Sequence, residues 1–180
     1  FGLTALMAFL PKQGLSAVDS MTVMMNEVLR EKAWNLRFQN PDSALYLLQI
    51  CRHRLLEQGD TSRAIKVLMD EATVSGNQAS YKDSYDKLWT GLLLADKTQD
   101  EKNKVLLYVR LGRYYSFYKR KDEALRYFDL SLELNKRLVK EGIVEKTNLI
   151  KSYYPYLATY REFAEPELAT VYLDSCFQLH

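Results

Sequence analysis

Apolar residues recur at three- and four-residue steps through most of the chain. The first clear stretch covers residues 20–38, where the repeating positions are Met21, Met24, Met25, Val28, Leu29, Ala33 and Leu36. This spacing places apolar side chains on one face of an α-helix. No segment alternates between apolar and polar residues for long enough to indicate a strand. The pattern therefore predicts an all-α protein.

A second pattern repeats along the chain at intervals of about forty residues. It consists of a small residue, a large residue four positions later, and another small residue three positions after that. Its copies are Ala44, Leu48 and Cys51; Ser84, Leu88 and Gly91; Ala124, Phe128 and Ser131; and Ala169, Leu173 and Cys176. Repetition at such a period indicates stacked helical hairpins, because a single hairpin cannot bury its apolar face alone.

Turn and cap residues divide the helices. We expect Asn40 and Asp60 to cap helices, Gly76-Asn77 to turn the chain, Thr98 to begin a capping box, Asp122 to cap the helix after it, and Gly142 to close a hairpin. A fourth opening helix is expected over 145–163, with Pro155 kinking or interrupting it.

The third hairpin resembles a tetratricopeptide repeat (TPR). The resemblance covers residues 105–138, where Tyr108, Leu111, Gly112, Tyr115, Ala124 and Phe128 follow the repeat's W-x2-L-G-x2-Y…A-x3-F pattern with Tyr in place of Trp. It implies a right-handed superhelix, or solenoid, of about four hairpins, at approximately 22–58, 61–96, 100–141 and 145–180. It also assigns Ala44, Leu48, Ser84, Leu88, Ala169 and Leu173, together with the six pattern residues, to packing between helices.

Composition offers little support for catalysis or metal binding. The formal charge of +2 describes a mixed, solvated surface rather than a nucleic-acid-binding one. The chain lacks the common nucleophile, zinc and nucleotide motifs, so we expect a non-enzymatic protein with no cofactor and no metal. Acid pairs for an alternative glycan-hydrolase function would be Asp70-Glu71 or Glu165 and Glu167, although acids near helix ends ordinarily cap helices or face solvent.

The two cysteines, Cys51 and Cys176, occupy equivalent repeat positions three hairpins apart. Helices are about 10 Å across, so this separation exceeds the roughly 7 Å that a disulfide can bridge. We expect both cysteines to be packing residues.

The family resemblance also implies a ligand groove, because the opening helices of such repeats line the concave face. The corresponding positions are Asn26, Leu29, Ala33, Leu36 and Arg37; Lys66, Met69, Thr73 and Asn77; Leu106, Val109, Arg113, Ser116 and Phe117; and Lys151, Tyr154, Ala158, Arg161 and Glu162. Arg37, Lys66, Arg113, Lys151 and Arg161 give this set a basic bias. We therefore expect a scaffold that binds a protein or peptide partner, acidic or ending in a carboxylate.

The start of the chain suggests export. Residues 1–10 contain no charge, and small residues follow within 11–17. Residues 1–19 are therefore expected to be a signal-peptide remnant or, alternatively, an apolar N-terminal helix. The first interpretation predicts a periplasmic protein of bacterial type, with an exported sensor segment of a membrane-anchored signalling regulator as an alternative function; a cytoplasmic location is the other possibility.

Overall fold

The computed structural model describes the backbone of residues 17–179 and the side chains of residues 23–179. This part of the chain contains eight α-helices, a short 3₁₀ segment and no strand, which confirms the all-α prediction. The helices are α1 (Ala17–Leu36), α2 (Pro41–Glu57), α3 (Thr61–Asn77), α4 (Tyr81–Thr98), α5 (Glu101–Phe117), α6 (Lys121–Lys140), α7 (Ile150–Glu162) and α8 (Pro166–Phe177), with the 3₁₀ segment at Lys146–Leu149. The predicted leader at residues 1–19 lies mostly outside the described residues.

The helices pack as a row of hairpins. Each helix packs on the next one in sequence, and the opening helices α3, α5 and α7 also contact one another in order. The short turns make neighbouring helices antiparallel. Buried and partly buried apolar residues form three clusters that follow one another along the chain, the first spanning α1 to α3, the second α3 to α6 and the third α5 to α8. The described chain is therefore a repeating helical array.

Six of the turns share one backbone conformation. Gly59, Ala79, Gln99 and Lys119, which are spaced twenty residues apart, have left-handed φ angles of 73°, 58°, 54° and 59°. Gly142 and Ala164 repeat the conformation in the later turns. The residue after each of them donates its N–H to a carbonyl five residues earlier, as Asp60 does to Leu55 at 2.8 Å. These bonds satisfy carbonyl groups at the helix end.

The predicted caps are correct in part. The side chains of Asn40 and Asp60 accept hydrogen bonds from the backbone N–H groups of Ser43 and Arg63 at 3.1 and 3.0 Å, as expected. The prediction for Asp122 is wrong, because α6 already begins at Lys121 and Asp122 lies in its first turn.

Two other boundary predictions are also wrong. Thr98 ends α4, and Asp100 is the cap of α5 instead. The chain does not turn at Gly76-Asn77, since α3 includes both residues and the left-handed residue is Ala79. Helix α7 follows the 3₁₀ segment and continues through the buried Pro155 without interruption.

Most of the predicted packing residues are buried. Ala44, Leu48, Ser84, Leu88, Leu111, Gly112, Ala124, Phe128 and Ala169 all belong to the interior. Tyr108 and Tyr115 are partly buried, and the Tyr115 ring stacks on Tyr127 with centroids 5.4 Å apart. Leu173 is the exception: it is 37% exposed, because no described helix covers that face of α8.

Gly112 lies at a close contact between α5 and α6. A Cβ atom added there would overlap ring carbons of Phe128 and would lie 3.0 Å from the carbonyl oxygen of Ala124. The glycine therefore allows the contact that the repeat pattern requires.

Among residues 17–179, none of the helices has both the length and the apolar character needed to span a bilayer.

Candidate ligand-binding groove

Predicted groove residues from α3 and α5 meet in one cavity. Met69, Thr73 and Asn77 of α3 face Arg113 and Phe117 of α5 across a pocket of about 280 Å³. We call this cavity the arginine pocket, because Arg110 lines it together with Arg113. These five predicted groove positions therefore line one shared cavity.

The walls of the arginine pocket are apolar and aromatic. Met69 and Leu88, which are 5% and 3% exposed, belong to its lining. Tyr81, Tyr114 and Phe117 supply the aromatic part of the lining, and the rings of Tyr81 and Phe117 lie 5.1 Å apart. Such walls exclude water from polar contacts made beside them.

Arg110 is a partly buried cation beside a second cation. Its Nη1 donates a hydrogen bond to Oγ1 of Thr73 at 3.0 Å. Burial, and then the charge of Arg113, lower its pKa, while the Asp70 carboxylate opposes this effect. Asp70 is itself in an ion pair with Arg30, at 2.6 Å. The described lining of the pocket includes no Asp or Glu, so its positive charge is available to an anionic ligand.

A second cavity lies near the other end of α5. We call it the lysine pocket, because Lys66 of α3, Lys102 of α5 and Lys151 of α7 line its volume of about 190 Å³. Lys66, Leu106 and Lys151 are predicted groove residues, and Lys102 is not. All three lysines are exposed, and Nζ of Lys151 donates to Oδ1 of Asn148 at 2.8 Å.

Buried amides hold the base of the lysine pocket. Asn135 is 2% exposed, and its Nδ2 donates to the carbonyl oxygen of Asn148 at 2.9 Å and to Oγ of Ser152 at 3.0 Å. Asn103, also 2% exposed, donates to the carbonyl oxygen of Ser62 at 2.9 Å. These bonds fix the positions of the helices on which the lysines are mounted.

Several other predicted groove residues line neither pocket. Asn26, Ala33 and Ser116 are buried at 1%, 0% and 5% exposure, so these three assignments are wrong: the side chains pack between helices instead of facing a ligand. Arg37, Tyr154 and Arg161 are accessible to solvent but line neither pocket.

Sequence reasoning missed Arg110, Tyr114, Tyr81 and Lys102. A signal for two of them, Lys102 and Arg110, was present, because Lys102, Leu106, Arg110, Arg113 and Phe117 follow one another at steps of three or four residues. This spacing places them on one helical face. The repeat register selected only some positions of that face.

The acids considered for a hydrolase are mostly engaged in ion pairs. Glu71 pairs with Arg52 at 2.7 Å, and Glu165 pairs with Lys121 at 2.5 Å. Among the described residues, no three His, Cys, Asp or Glu side chains are grouped as a metal site. Cys51 is buried, Cys176 is partly buried, and both are free thiols.

Neither protein-family models nor the sequences of curated proteins match the chain. Among solved structures, it is similar to the crystal structure of BtubC (BKLC) from P. vanneervenii, with a TM-score of 0.67 and 15% sequence identity. The similarity covers 94% of this chain but only 66% of the length of that one. At this identity the match shows the fold alone. This chain is an all-helical array, and the protein that it resembles is a helical-repeat protein.

Proposed function

We propose that this protein is a TPR-type scaffold, a right-handed superhelix of four hairpins that binds an acidic or carboxylate-ended peptide segment of another protein and catalyses no reaction. The observation that favours it most is the arginine pocket. Arg110 and Arg113 lie beside aromatic and apolar walls, and the described lining has no acid to neutralise them. Tyr108, Leu111, Gly112 and Phe128, which match the repeat pattern, support the family assignment.

The chemistry of the pocket suits a carboxylate next to an apolar side chain. A guanidinium group can donate two parallel hydrogen bonds to one carboxylate. Such charge-assisted bonds are stronger than hydrogen bonds between neutral groups. An apolar ligand side chain against Met69, Leu88 and Phe117 would exclude water from that pair. Burial of the apolar side chain would thus supply affinity, and the pairing of the carboxylate with the arginines would fix the orientation of the ligand.

Selection from a library of random linear peptides displayed on phage tests this proposal. We expect the full chain, immobilised through one terminus, to enrich peptides that contain Asp or Glu beside an apolar residue. The affinity of the enriched peptides is then measured by fluorescence anisotropy. Arg113→Glu should weaken binding by at least about tenfold, because it replaces an attractive charge with a repulsive one.

Arg161→Glu is the matched control. Arg161 is exposed on α7 and lines neither pocket, so this variant makes the same change of net charge without altering the arginine pocket. Circular dichroism should show equal helix content in both variants. Equal losses of affinity from the two changes, or no enriched peptides at all, would refute the proposed function.

A further inference from the structure

We infer that the groove holds its acidic peptide at two points, with one carboxylate in the arginine pocket and a second in the lysine pocket. The two acidic residues of the partner would be three to five positions apart. This inference rests on the proposed function and adds the register in which the partner is recognised.

The same faces of α3 and α5 line both pockets. On α5, Lys102 and Leu106 line the lysine pocket, and Arg110, Arg113 and Phe117 line the arginine pocket. Successive members of this set are four, four, three and four residues apart, which keeps them on one side of the helix.

The facing helix shows the same arrangement. On α3, Lys66 lines the lysine pocket, while Met69, Thr73 and Asn77 line the arginine pocket, at steps of three, four and four residues. An extended segment lying along α3 and α5 would therefore pass both pockets.

The length of α5 between the pockets sets the spacing of the two acids. Leu106 and Arg113 are seven residues apart, and Lys102 and Arg113 are eleven apart. At about 1.5 Å per helical residue, these separations correspond to roughly 10 and 16 Å along the axis. An extended peptide rises about 3.3 Å per residue, so it covers that distance in about three to five residues.

The lysines have charge available for a ligand. Within residues 23–179, Lys66, Lys102 and Lys151 form no ion pair, whereas the neighbouring Lys104 pairs with Asp96 at 2.5 Å. The described lining of the lysine pocket contains amide, apolar and lysine side chains but no acid. A carboxylate placed there would be attracted by three cations without breaking an ion pair.

An acidic peptide fits this surface better than a nucleic acid does. The formal net charge is only +2, and the described ion pairs neutralise many of the other basic residues. A polyphosphate backbone requires a long run of available cations. On α3, α5 and α7, the basic residues that line a described cavity without an acid beside them fall into two small, separate pockets, which matches separate carboxylates better than a continuous backbone of phosphates.

The spacing is tested with the peptides enriched on the full chain. We expect the enriched sequences to contain a pair of Asp or Glu residues three to five positions apart. For each such peptide, a partner peptide is made in which the acid assigned to the lysine pocket is replaced by Gln. Affinities of both peptides are measured by fluorescence anisotropy for the unmodified protein and its variants.

The double variant Lys66→Ala/Lys102→Ala should weaken the two-acid peptide about tenfold and leave the Gln-substituted peptide nearly unchanged. Both lysines are exposed, so the variant should retain its helix content. Lys97→Ala, at an exposed site on α4, is the control and should change neither affinity. Arg113→Glu should weaken both peptides.

Each contrary result has a distinct meaning. If the lysine variant binds the two-acid peptide normally, or weakens both peptides equally, two-point binding is wrong while the effect of Arg113→Glu still supports the proposed function. If Arg113→Glu has no effect, the proposed function itself is wrong. Tighter binding of a fluorescein-labelled oligothymidylate than of the two-acid peptide would overturn the choice of a peptide as the ligand.

Discussion

Gly112 shows how a single residue sets the distance between two helices. The ring of Phe128 occupies the space that a side chain at this position would need, and a Cβ would also lie only 3.0 Å from the carbonyl oxygen of Ala124. Phe128 is fully buried and packs on Tyr156, with ring centroids 5.3 Å apart. Its ring therefore cannot move aside without disturbing the next hairpin.

Gly112→Ala should lower the free energy of unfolding by about 1–3 kcal/mol, because overpacking outweighs the better helix propensity of alanine. Gly76→Ala is the control. Gly76 is also helical, but a Cβ there would meet only the side chain of Ser84, with Oγ 3.6 Å away, an ordinary contact. In the control, the free energy of unfolding should rise by up to about 1 kcal/mol, because alanine has the higher helix propensity. Urea unfolding followed by circular dichroism measures both, and changes of the same sign would contradict the packing argument.

The sequence predicts the packing of a single residue where only one size of side chain fits. Gly112 and Phe128 are recognisable from their spacing, because only a small residue fits beneath a large one. Asn26 illustrates the opposite case. Its Nδ2 donates to Oε1 of Gln58 at 3.2 Å, a contact between residues far apart in sequence. The sequence pattern alone therefore assigns a polar residue on an opening helix to the ligand face, and the mistake shows only once the packing of the second helix of the same hairpin is known.

Helices α2 and α3 are joined by an ion pair between the buried Glu71 and the partly exposed Arg52. Nε of Arg52 lies 2.7 Å from Oε1 of Glu71, whose side chain is 1% exposed. Burial raises the pKa of Glu71, and its hydrogen bond and charge interaction with Arg52 act in the opposite direction. The carboxylate is tolerated inside the array because its partner is present.

Arg52→Met should lower the free energy of unfolding by roughly 2–3 kcal/mol at pH 7, somewhat less than for a wholly buried pair because Arg52 is 31% exposed. Without Arg52, the pKa of Glu71 rises further, so the native state binds a proton that the unfolded state has released. The loss should therefore shrink as the pH falls from 7 towards the ordinary glutamate value of 4.5. Denaturant unfolding of both proteins at several pH values measures this loss of stability.

The double variant Arg52→Met/Glu71→Leu serves as the control for this pair. It removes both charges, so most of the lost stability should return and the pH dependence should disappear. A destabilisation by Arg52→Met that does not vary with pH would indicate lost packing of the arginine stem instead of an uncompensated carboxylate.

Element boundaries were predictable where the turn has its own chemistry. Gly59-Asp60 supplies a left-handed residue and a cap, and both functions appear in the structure. Ala79, Gln99 and Lys119 adopt the same left-handed backbone without being glycine or asparagine. Their conformation follows from the packing of the helices on either side, so local sequence could not place those turns to the residue.

Burial is distributed unevenly over the whole array. Helix α3 contacts both α2 and α4 and also α5, and nine of its residues are buried. Helix α8 packs chiefly on α7, and Ala169 is its only buried residue among those described. In an array where each unit contacts only its neighbours, local stability follows this distribution.

Hydrogen exchange should therefore differ along the chain. We expect backbone amides of α8 to exchange at least about tenfold faster than those of α3, since fewer buried contacts oppose local opening. Mass spectrometry of peptic fragments from the 180-residue chain measures both helices in one experiment. Equal protection of α3 and α8 would show instead that the molecule opens as a single cooperative unit.

The regular left-handed turns also determine where the chain tolerates a change in length. Gly59, Ala79, Gln99 and Lys119 recur every twenty residues. Removing one residue inside a helix would rotate everything beyond it by about 100° relative to its neighbour, because one turn takes about 3.6 residues. Evolutionary insertions and deletions that preserve this architecture are therefore expected at the turns, or within helices in increments close to whole helical turns.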